Sequence, residues 1–280
     1  MTKPQPPAIT VLMSVYEPQP GFLREAVSSV LAQTFTDFEL LIIEDPSAVL
    51  TGTILADMDD SRIRVHRNDV RLGLAESLNV GVALARSALI ARLDFDDVCL
   101  PQRLERQLAF LSSHPEIDVY GSRINVIDES GRLIGRRNLP LSHDEIAAGL
   151  RRTNVVSHPS VMFRKASVEA AGGYEATRVF SEDFDLWCRM VTRGARFAAS
   201  EEPLILYRFR PGALKFSRIR PTIKSMIEIK TRYFRGRFGV VDRLRLFAER
   251  ILMLLPQRLV VQLFRWIEYR GLSGGQDREY

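Results

Sequence analysis

Short apolar runs alternate with helical periodicities along the first hundred residues of the chain. Strands are predicted over residues 9–16, 38–43, 63–66 and 88–93. The first, second and fourth contain apolar runs typical of buried strands, and the third is short. Between them apolar residues recur at intervals of three and four, which predicts helices over residues 22–34, 51–58 and 74–85. This β-α-β-α order predicts an α/β fold with a mainly parallel central sheet and helices on both faces.

The pattern continues beyond residue 100 with mixed elements. A helix is predicted from Pro101 to Ser112, and a second one begins at Ser142, where Glu145 completes a capping box. Further strands are predicted over residues 117–121, 123–127 and 154–163, the first two being followed by a turn at residues 128–131. A break at residues 172–174 is expected to be flexible enough to let a second substrate approach.

Three aspartates, Asp94, Asp96 and Asp97, follow the fourth apolar run within four residues. In an extended chain Asp94 and Asp96 point to the same side, where their charges repel unless a cation lies between them. Divalent ions such as Mn²⁺ or Mg²⁺ take oxygen ligands and bind through one or two carboxylates plus the phosphates of a substrate. A solvated acidic turn is the alternative, but α/β proteins bind ligands at such strand ends, which favours a metal site at Asp96.

Other polar residues end the first two strands. Because parallel strands share their carboxyl edge, Tyr16 and Glu17 are expected to lie near Glu44 and Asp45, and both pairs near the aspartates. An aromatic ring can stack on a base, and carboxylates can accept hydrogen bonds from base or ribose. These residues are therefore candidates for nucleotide binding, as is Arg71. No glycine-rich phosphate loop is found, so we expect a metal ion and side chains to neutralise the charge of the phosphates.

Composition places the chain among ordinary globular proteins, but its charge is divided unevenly. Residues 206–280 contain 17 Lys and Arg against 6 Asp and Glu, whereas residues 1–205 contain 22 against 28. Two cysteines are too few for a disulfide framework, and neither a signal peptide nor a spanning helix is expected. We expect a cytoplasmic protein with no nucleic-acid partner.

The basic tail contains two amphipathic stretches, residues 240–255 and 258–270, separated by Pro256. Two interpretations of these stretches remain open. They bind the inner face of the cytoplasmic membrane peripherally, or they pack on the body of the protein or on a second subunit in a homodimer.

Taken in order, eight segments resemble the family 2 glycosyltransferases, over roughly residues 8–210. They are ITVLMSVYEP, FLREAVSSVLAQTFTDFELLIIEDPS, RLGLAESLNVGVALARSALIARLDFDD, LPQRLERQLAFL, NVVSHPSVMFRK, GGYEA, SEDFDLWCRM and PLILYR. The resemblance implies a GT-A nucleotide-diphospho-sugar transferase fold of the bacterial polysaccharide-biosynthesis type. It also implies a divalent metal and inversion at the sugar carbon. The domain plan is then a nucleotide-sugar-binding half (8–100), an acceptor-binding half of the same domain (101–210) and a basic helical tail (211–280).

By position, the resemblance implies that Tyr16 and Asp45 contact the base, Asp94 the ribose side, and Asp96 the metal that bridges the diphosphate. The donor would be a nucleotide-sugar and the acceptor a glycan or a lipid-linked saccharide. The chain departs from the family at Glu17, where Asn is common, and at Glu44-Asp45-Pro46-Ser47, where Asp-Asp-Gly-Ser is usual. These departures concern the identity of the nucleotide base in the donor more than they concern the fold.

Asp183 is the candidate general base of an inverting transfer by the same resemblance. Without it, the acids of Ser181-Glu182-Asp183 are explained by a helix N-terminus, with Ser181 as its cap. His158 is a second candidate, either as a metal ligand or pocket residue or as a satisfied buried histidine. Arg189 either neutralises the diphosphate or pairs with an acid of its own helix. Asp97 and Glu182 complete the accessory candidates.

Two other classes of function compete with sugar transfer. A nucleotidyltransferase can share the α/β architecture, but it would normally show a glycine-rich basic phosphate loop near the N-terminus. A catalytically silent, membrane-associated binding module is the other class. The presence of Asp96 and Asp183 argues against it, whereas Glu44 and Pro46 leave it open.

Overall fold

A computed structural model describes residues 5–177, 181–210, 219–255 and 260. The strands are β1 (Ile9–Val15), β2 (Phe38–Glu44), β3 (Ile63–Arg67), β4 (Leu89–Arg92), β5 (Val98–Cys99), β6 (Val119–Ser122), β7 (Ile124–Ile127), β8 (Leu133–Arg137), β9 (Met162–Arg164), β10 (Phe197–Ser200) and β11 (Ile205–Arg208). The α-helices are α1 (Pro20–Leu31), α2 (Thr51–Ile54), α3 (Leu74–Leu84), α4 (Arg103–Ser113), α5 (His143–Leu150), α6 (Lys165–Ala171), α7 (Glu182–Thr192), α8 (Ile219–Phe234) and α9 (Val240–Leu252).

The central sheet has seven strands in the order β10-β6-β9-β4-β1-β2-β3. Strands β1 to β4 pair in parallel, as do β6 and β10, whereas β9 runs antiparallel between β4 and β6. The sheet is therefore mainly parallel, as the sequence predicts. Because β1, β2 and β4 run in the same direction, the residues that follow them lie along one edge.

Helices cover both faces of this sheet because its central strands are apolar on both sides. Side chains alternate along β1 and β2, so that Leu12 and Leu41 join one core and Val11 and Leu40 the other. The first core also receives α3, α5, α6 and α7, and the second receives α1 and α4. One of these helices, α7, carries the candidate base.

A second, four-stranded sheet was not predicted from the sequence. Its order is β5-β11-β7-β8, and β11 pairs in parallel with β7 and antiparallel with β5. The strand β5 has two residues, which is too short for an alternation signal to be detected. We call residues 93–97, which follow β4, the acidic loop. The second sheet matters for function because β5 follows this loop and β11 ends at Arg208 beside it.

The prediction of a strand over residues 154–163 is wrong for most of its length. The chain forms a loop and a 3-10 helix, His158–Ser160, and joins the sheet at Met162–Arg164. Pro159 lies inside the segment and has no N–H to donate to a strand ladder. The run looked like a strand because several of its apolar side chains are buried in the core.

The basic tail is helical where it is described. The predicted stretch over residues 240–255 forms α9, whereas the stretch over residues 258–270 lies, except for Val260, outside the described residues. Within the described part of the chain, no helix is both long enough and apolar enough to span a bilayer.

Candidate active site

Tyr16 and Arg71 form the first group at the carboxyl edge of the sheet. The Arg71 guanidinium lies 3.9 Å from the centre of the Tyr16 ring. The Tyr16 hydroxyl donates a hydrogen bond of 2.8 Å to Glu17, whose backbone has a positive φ of 47°. A positive φ is uncommon for a residue with a side chain, and it occurs here in the loop directly after β1. A flat aromatic ring is thus held beside a cation at a strand end.

Asp45 is buried and fixes the neighbouring loop. Its carboxylate accepts hydrogen bonds from the side chains of Asn68 and Ser77 and from the backbone N–H groups of Leu72 and Gly73. Burial acts to raise the pKa of Asp45, but these four donors outweigh it and the pKa lies below its usual value. Asp45 therefore carries a negative charge and shapes the loop that presents Arg71.

Glu44 points away from this group. Its carboxylate accepts a hydrogen bond from the backbone N–H of Thr51, at the start of α2, and lies 3.9 Å from Arg67. Adjacent residues at a strand end face opposite sides of the sheet, so Glu44 and Asp45 are separated. The structure brings Tyr16, Asp45 and Arg71 to one place and gives Glu44 other partners.

The acidic loop after β4 is a turn rather than the extended chain expected from the sequence. The N–H of Asp97 donates to the carbonyl of Asp94 at 3.3 Å. Asp94 forms an ion pair with Arg92, the last residue of β4, which is 3% exposed. Burial lowers the pKa of the Arg92 guanidinium, but the charge of Asp94 outweighs this and keeps Arg92 protonated.

Arg92 was overlooked in the sequence, although it precedes the aspartates directly. Its Nε and Nη1 atoms are buried and have no hydrogen-bond partner among the described residues. Its charge partly opposes the rise in the pKa values of Asp96, Glu182 and Asp183, which burial causes. A buried arginine at a strand end requires nearby negative charge, and that requirement could have identified it.

Two arginines, one at the end of β11 and one just beyond it, hold the remaining aspartates. Arg210 forms an ion pair of 2.7 Å with Asp96, and the backbone N–H of Arg208 donates to Asp97 Oδ1. The Arg208 side chain donates to the carbonyl of Asp96 and to Glu25. Burial, followed by the charge of Asp94, raises the pKa of Asp96 to about 6, and burial raises that of Asp97 well above its usual range.

This crowding of carboxylates fits a divalent cation. Asp97 Oδ2 is buried and has no hydrogen-bond partner among the described residues, and burial together with the charge of Asp94 raises the pKa of Asp96. In the described ranges no three His, Cys, Asp or Glu side chains converge as a complete metal site. A cation held here would complete its coordination with oxygen atoms of a substrate, as Mg²⁺ commonly does.

The first turn of α7 holds Glu182 and Asp183. Asn154 donates a hydrogen bond of 2.7 Å to Asp183 Oδ2, and the N–H of Phe184 donates to Oδ1. Burial raises the pKa of Asp183 despite these donors, and burial together with the charge of Asp183 raises the pKa of Glu182 to about 7. The negative charge of Asp94 also acts on Asp183, which connects α7 with the acidic loop.

Ser181 does not cap this helix as expected. Its side chain makes no capping hydrogen bond, and its φ of 129° is rarely adopted by a residue with a side chain. Backbone strain of this kind costs about 1–3 kcal/mol and is often found at functional sites. The strain adjoins the candidate base and therefore adds support to a functional interpretation of these acids.

His158 is a satisfied buried residue in this structure. Its Nε2 lies 2.9 Å from the Tyr174 hydroxyl, and its ring contacts the edge of Trp187. Burial, and then the charge of Arg92, lower the pKa of His158 well below its usual value, so that it is neutral. Burial raises the pKa of Tyr174, which therefore keeps its proton.

The break at residues 172–174 is held by side chains on both sides. Asn79 donates to the carbonyl of Tyr174 and accepts from its N–H, at 2.8 and 2.7 Å. Arg189 donates to the carbonyls of Ala171 and Gly173 and forms a 2.8 Å ion pair with Asp185. Of the two interpretations of Arg189, the structure supports pairing with an acid of its own helix.

The family to which the chain belongs follows from a comparison with known proteins. Residues 10–172 match the model of glycosyl transferase family 2. A Haemophilus influenzae protein described as an uncharacterized glycosyltransferase is 31% identical over 266 residues, 91% of this chain and 97% of its own. The amylovoran biosynthesis glycosyltransferase AmsE of Erwinia amylovora is 32% identical over 209 residues, 73% of this chain and 76% of its own. The chain belongs to glycosyl transferase family 2 and is a glycosyltransferase.

Two further similarities bear on fold and chemistry. An Escherichia coli protein named UDP-Gal:alpha-D-GlcNAc-diphosphoundecaprenol beta-1,3-galactosyltransferase is 26% identical over 275 residues, 94% of this chain and 96% of its own. The crystal structure of Staphylococcus aureus TarS residues 1–349 matches with a TM-score of 0.62 at 16% identity, covering 88% of this chain and 71% of TarS. TarS has also been solved with UDP and with UDP-GlcNAc. The GT-A fold expected from the sequence is confirmed.

Proposed function

We propose that this protein transfers a hexose, with inversion, from a UDP-sugar to a lipid-linked saccharide during polysaccharide synthesis. The observation that carries the proposal is the position of Asp183, a half-buried carboxylate that accepts a hydrogen bond from Asn154. It lies close enough to Asp94 for the charge of Asp94 to act on its pKa. The uridine nucleotide is supported by the complexes of TarS, and the lipid-linked acceptor by the name of the Escherichia coli relative.

Asp183 is proposed as the general base. An inverting transfer needs a carboxylate that removes the proton of the acceptor hydroxyl as its oxygen attacks the anomeric carbon. Burial raises the pKa of Asp183, which makes the carboxylate a better proton acceptor. Asn154 and the N–H of Phe184 fix both carboxylate oxygens, so that the group is oriented before the acceptor binds.

The donor nucleotide is proposed to bind along the edge formed by β1, β2 and β4. The Tyr16 ring would stack on the base beside Arg71, and Asp45 would position the loop that carries Arg71 through the N–H groups of Leu72 and Gly73. Asp94 would lie on the ribose side, where it forms an ion pair with Arg92. Glu44 is proposed to support α2 instead, because its carboxylate is already engaged by Thr51.

A divalent cation is proposed to be held by Asp96, beside Asp97. When bound, the ion would neutralise charge on the leaving diphosphate. Arg210, which pairs with Asp96, lies beside this position and would donate hydrogen bonds to phosphate oxygens of the donor. Mn²⁺ and Mg²⁺ both suit carboxylate ligands.

The test is a transfer assay with the purified chain. A panel of UDP-hexoses is offered with a GlcNAc-diphosphate-polyprenol acceptor, in EDTA and after addition of Mn²⁺ or Mg²⁺. We expect acceptor-dependent release of UDP that needs the metal, and a β-linked product by NMR from an α-linked donor. An α-linked product would exclude inversion. Full turnover in EDTA would show that the reaction does not depend on a divalent metal.

Asp144→Asn is the matched control for variants of Asp183, because Asp144 is an exposed acid in the first turn of α5. It should leave turnover unchanged. If Asp183→Asn were as active as this control, the base would have to be another group.

A further inference from the structure

The helix α9 packs on the body of the protein with its polar side. Asp242 is buried and forms an ion pair of 2.8 Å with Arg152. Glu249, two turns further on, forms an ion pair with the buried Lys230 of α8. Surface helices normally bury their apolar side, so the orientation of α9 is the reverse of the usual one.

The apolar side of α9 consequently faces outward. Leu244 is 63% exposed and Phe247 64% exposed, so that each side chain is largely in contact with solvent. These side chains belong to a series that recurs every three or four residues along the helix and just beyond it. We define this exposed series as the α9 apolar face: Val240, Leu244, Phe247, Ile251 and Leu254. A continuous exposed face of this kind commonly marks an interaction site.

Exposed arginines occur on α9 and in the segment that precedes it. They are Arg232, Arg235, Arg237, Arg243, Arg245 and Arg250. Within residues 232–255, all of which are described, the two acids are Asp242 and Glu249, and both are held by ion pairs to the body. The outward surface of this segment is therefore apolar and positively charged.

We propose that the α9 apolar face lies on an anionic lipid surface. A helix with an apolar face and a basic rim binds at the boundary between headgroups and acyl chains, where each arginine near the surface adds attraction to anionic lipid. A second copy of the chain is a poorer partner, since it would bring its own arginines against these. The arrangement also suits a lipid-linked acceptor, but the proposal rests on α9 and not on the reaction.

The test is co-sedimentation of the full chain with vesicles. Phosphatidylcholine vesicles are compared with the same vesicles containing phosphatidylglycerol, at low and high salt. We expect binding to the anionic vesicles that weakens as salt rises. The variant Leu244→Ser/Phe247→Ser should bind about tenfold more weakly or worse, because each large apolar side chain contributes strongly to partitioning. The charge variant Arg243→Glu/Arg250→Glu should lose the preference for anionic lipid.

Leu133→Ser is the control, since Leu133 is also an exposed leucine but belongs to β8. It should bind vesicles as the unaltered chain does. The proposal is overturned if the unaltered chain does not co-sediment with anionic vesicles, or if the α9 variants bind these vesicles as well as the unaltered chain does. It is also overturned if sedimentation equilibrium shows a dimer that the α9 variants dissociate while vesicle binding is absent, because the occupant would then be a second copy.

Discussion

Replacing Asp96 by Asn should make the metal-free protein more stable, although Asp96 is the proposed metal ligand. The carboxyl pKa rises from 3.8 to about 6 on folding, because the side chain is buried beside the charge of Asp94. A raised pKa means that the folded state binds the proton more tightly than the unfolded state. Stability is therefore lost as the pH rises from 3.8 through 6, and asparagine, which has no charge, does not incur this loss.

The size of the effect follows from the two pKa values. One pKa unit corresponds to about 1.4 kcal/mol, so ionised Asp96 costs the folded state about 3 kcal/mol at pH 7.5 and about 1 kcal/mol at pH 4.5. The favourable charge of Arg210 is already included in the pKa of Asp96. Asp96→Asn should thus gain about 3 kcal/mol at pH 7.5, and most of this gain should vanish at pH 4.5.

The assay is urea unfolding in EDTA at the two pH values, followed by circular dichroism. Asp185→Asn is the control of opposite sign, because Asp185 is buried and forms an ion pair with Arg189. Removing one partner of a buried pair costs about 3–5 kcal/mol. If Asp96→Asn were less stable than the unaltered chain at pH 7.5, or gained equally at both pH values, the electrostatic description of the acidic loop would be refuted.

Three further predictions concern the supports of the site. Arg92→Met should raise the pKa of Asp183, because it removes a charge that lowers it, and should move the acidic limb of the pH–rate profile upward; an unchanged profile would contradict the role given to Arg92. Gly173→Ala should cost about 2 kcal/mol in thermal unfolding, since φ is +68° and a Cβ would lie 2.6 Å from a side-chain oxygen, whereas Gly52→Ala, with nothing within 4 Å, should be neutral. Tyr16→Ala should weaken UDP binding about tenfold by calorimetry, the loss of one stacked ring, and equal affinity would place the base elsewhere.

The parallel part of the fold could be predicted because its signals are local. Strands β1, β2 and β4 contain apolar runs, and helices α1 and α3 have their own apolar periodicity. The capping box at Ser142 and Glu145 forms as expected, since it depends on residues three apart. The sheet containing β5 and β11 could not be predicted, because its pairing joins residues about a hundred positions apart and one of its strands has two residues.

The candidate site, too, could be predicted from the sequence only in part. The acids could be found because they follow predictable strand ends, and family resemblance indicated their roles. Arg92 could also have been found, since it lies two residues before Asp94, but Asn154 and Arg210 could not, because they reach the acids through tertiary structure. The pKa directions depend on burial and on these partners, so they too required coordinates.

As the proposed general base, Asp183 acts in the chemical step and not in donor binding. Donor affinity and turnover of Asp183→Asn, measured by calorimetry with the UDP-sugar and by the transfer assay, test it most directly. We expect an unchanged dissociation constant and a turnover reduced by about 10²- to 10⁴-fold, the usual contribution of a general base. Turnover equal to that of Asp144→Asn, or a loss of donor binding that accounts for the whole effect, would contradict it.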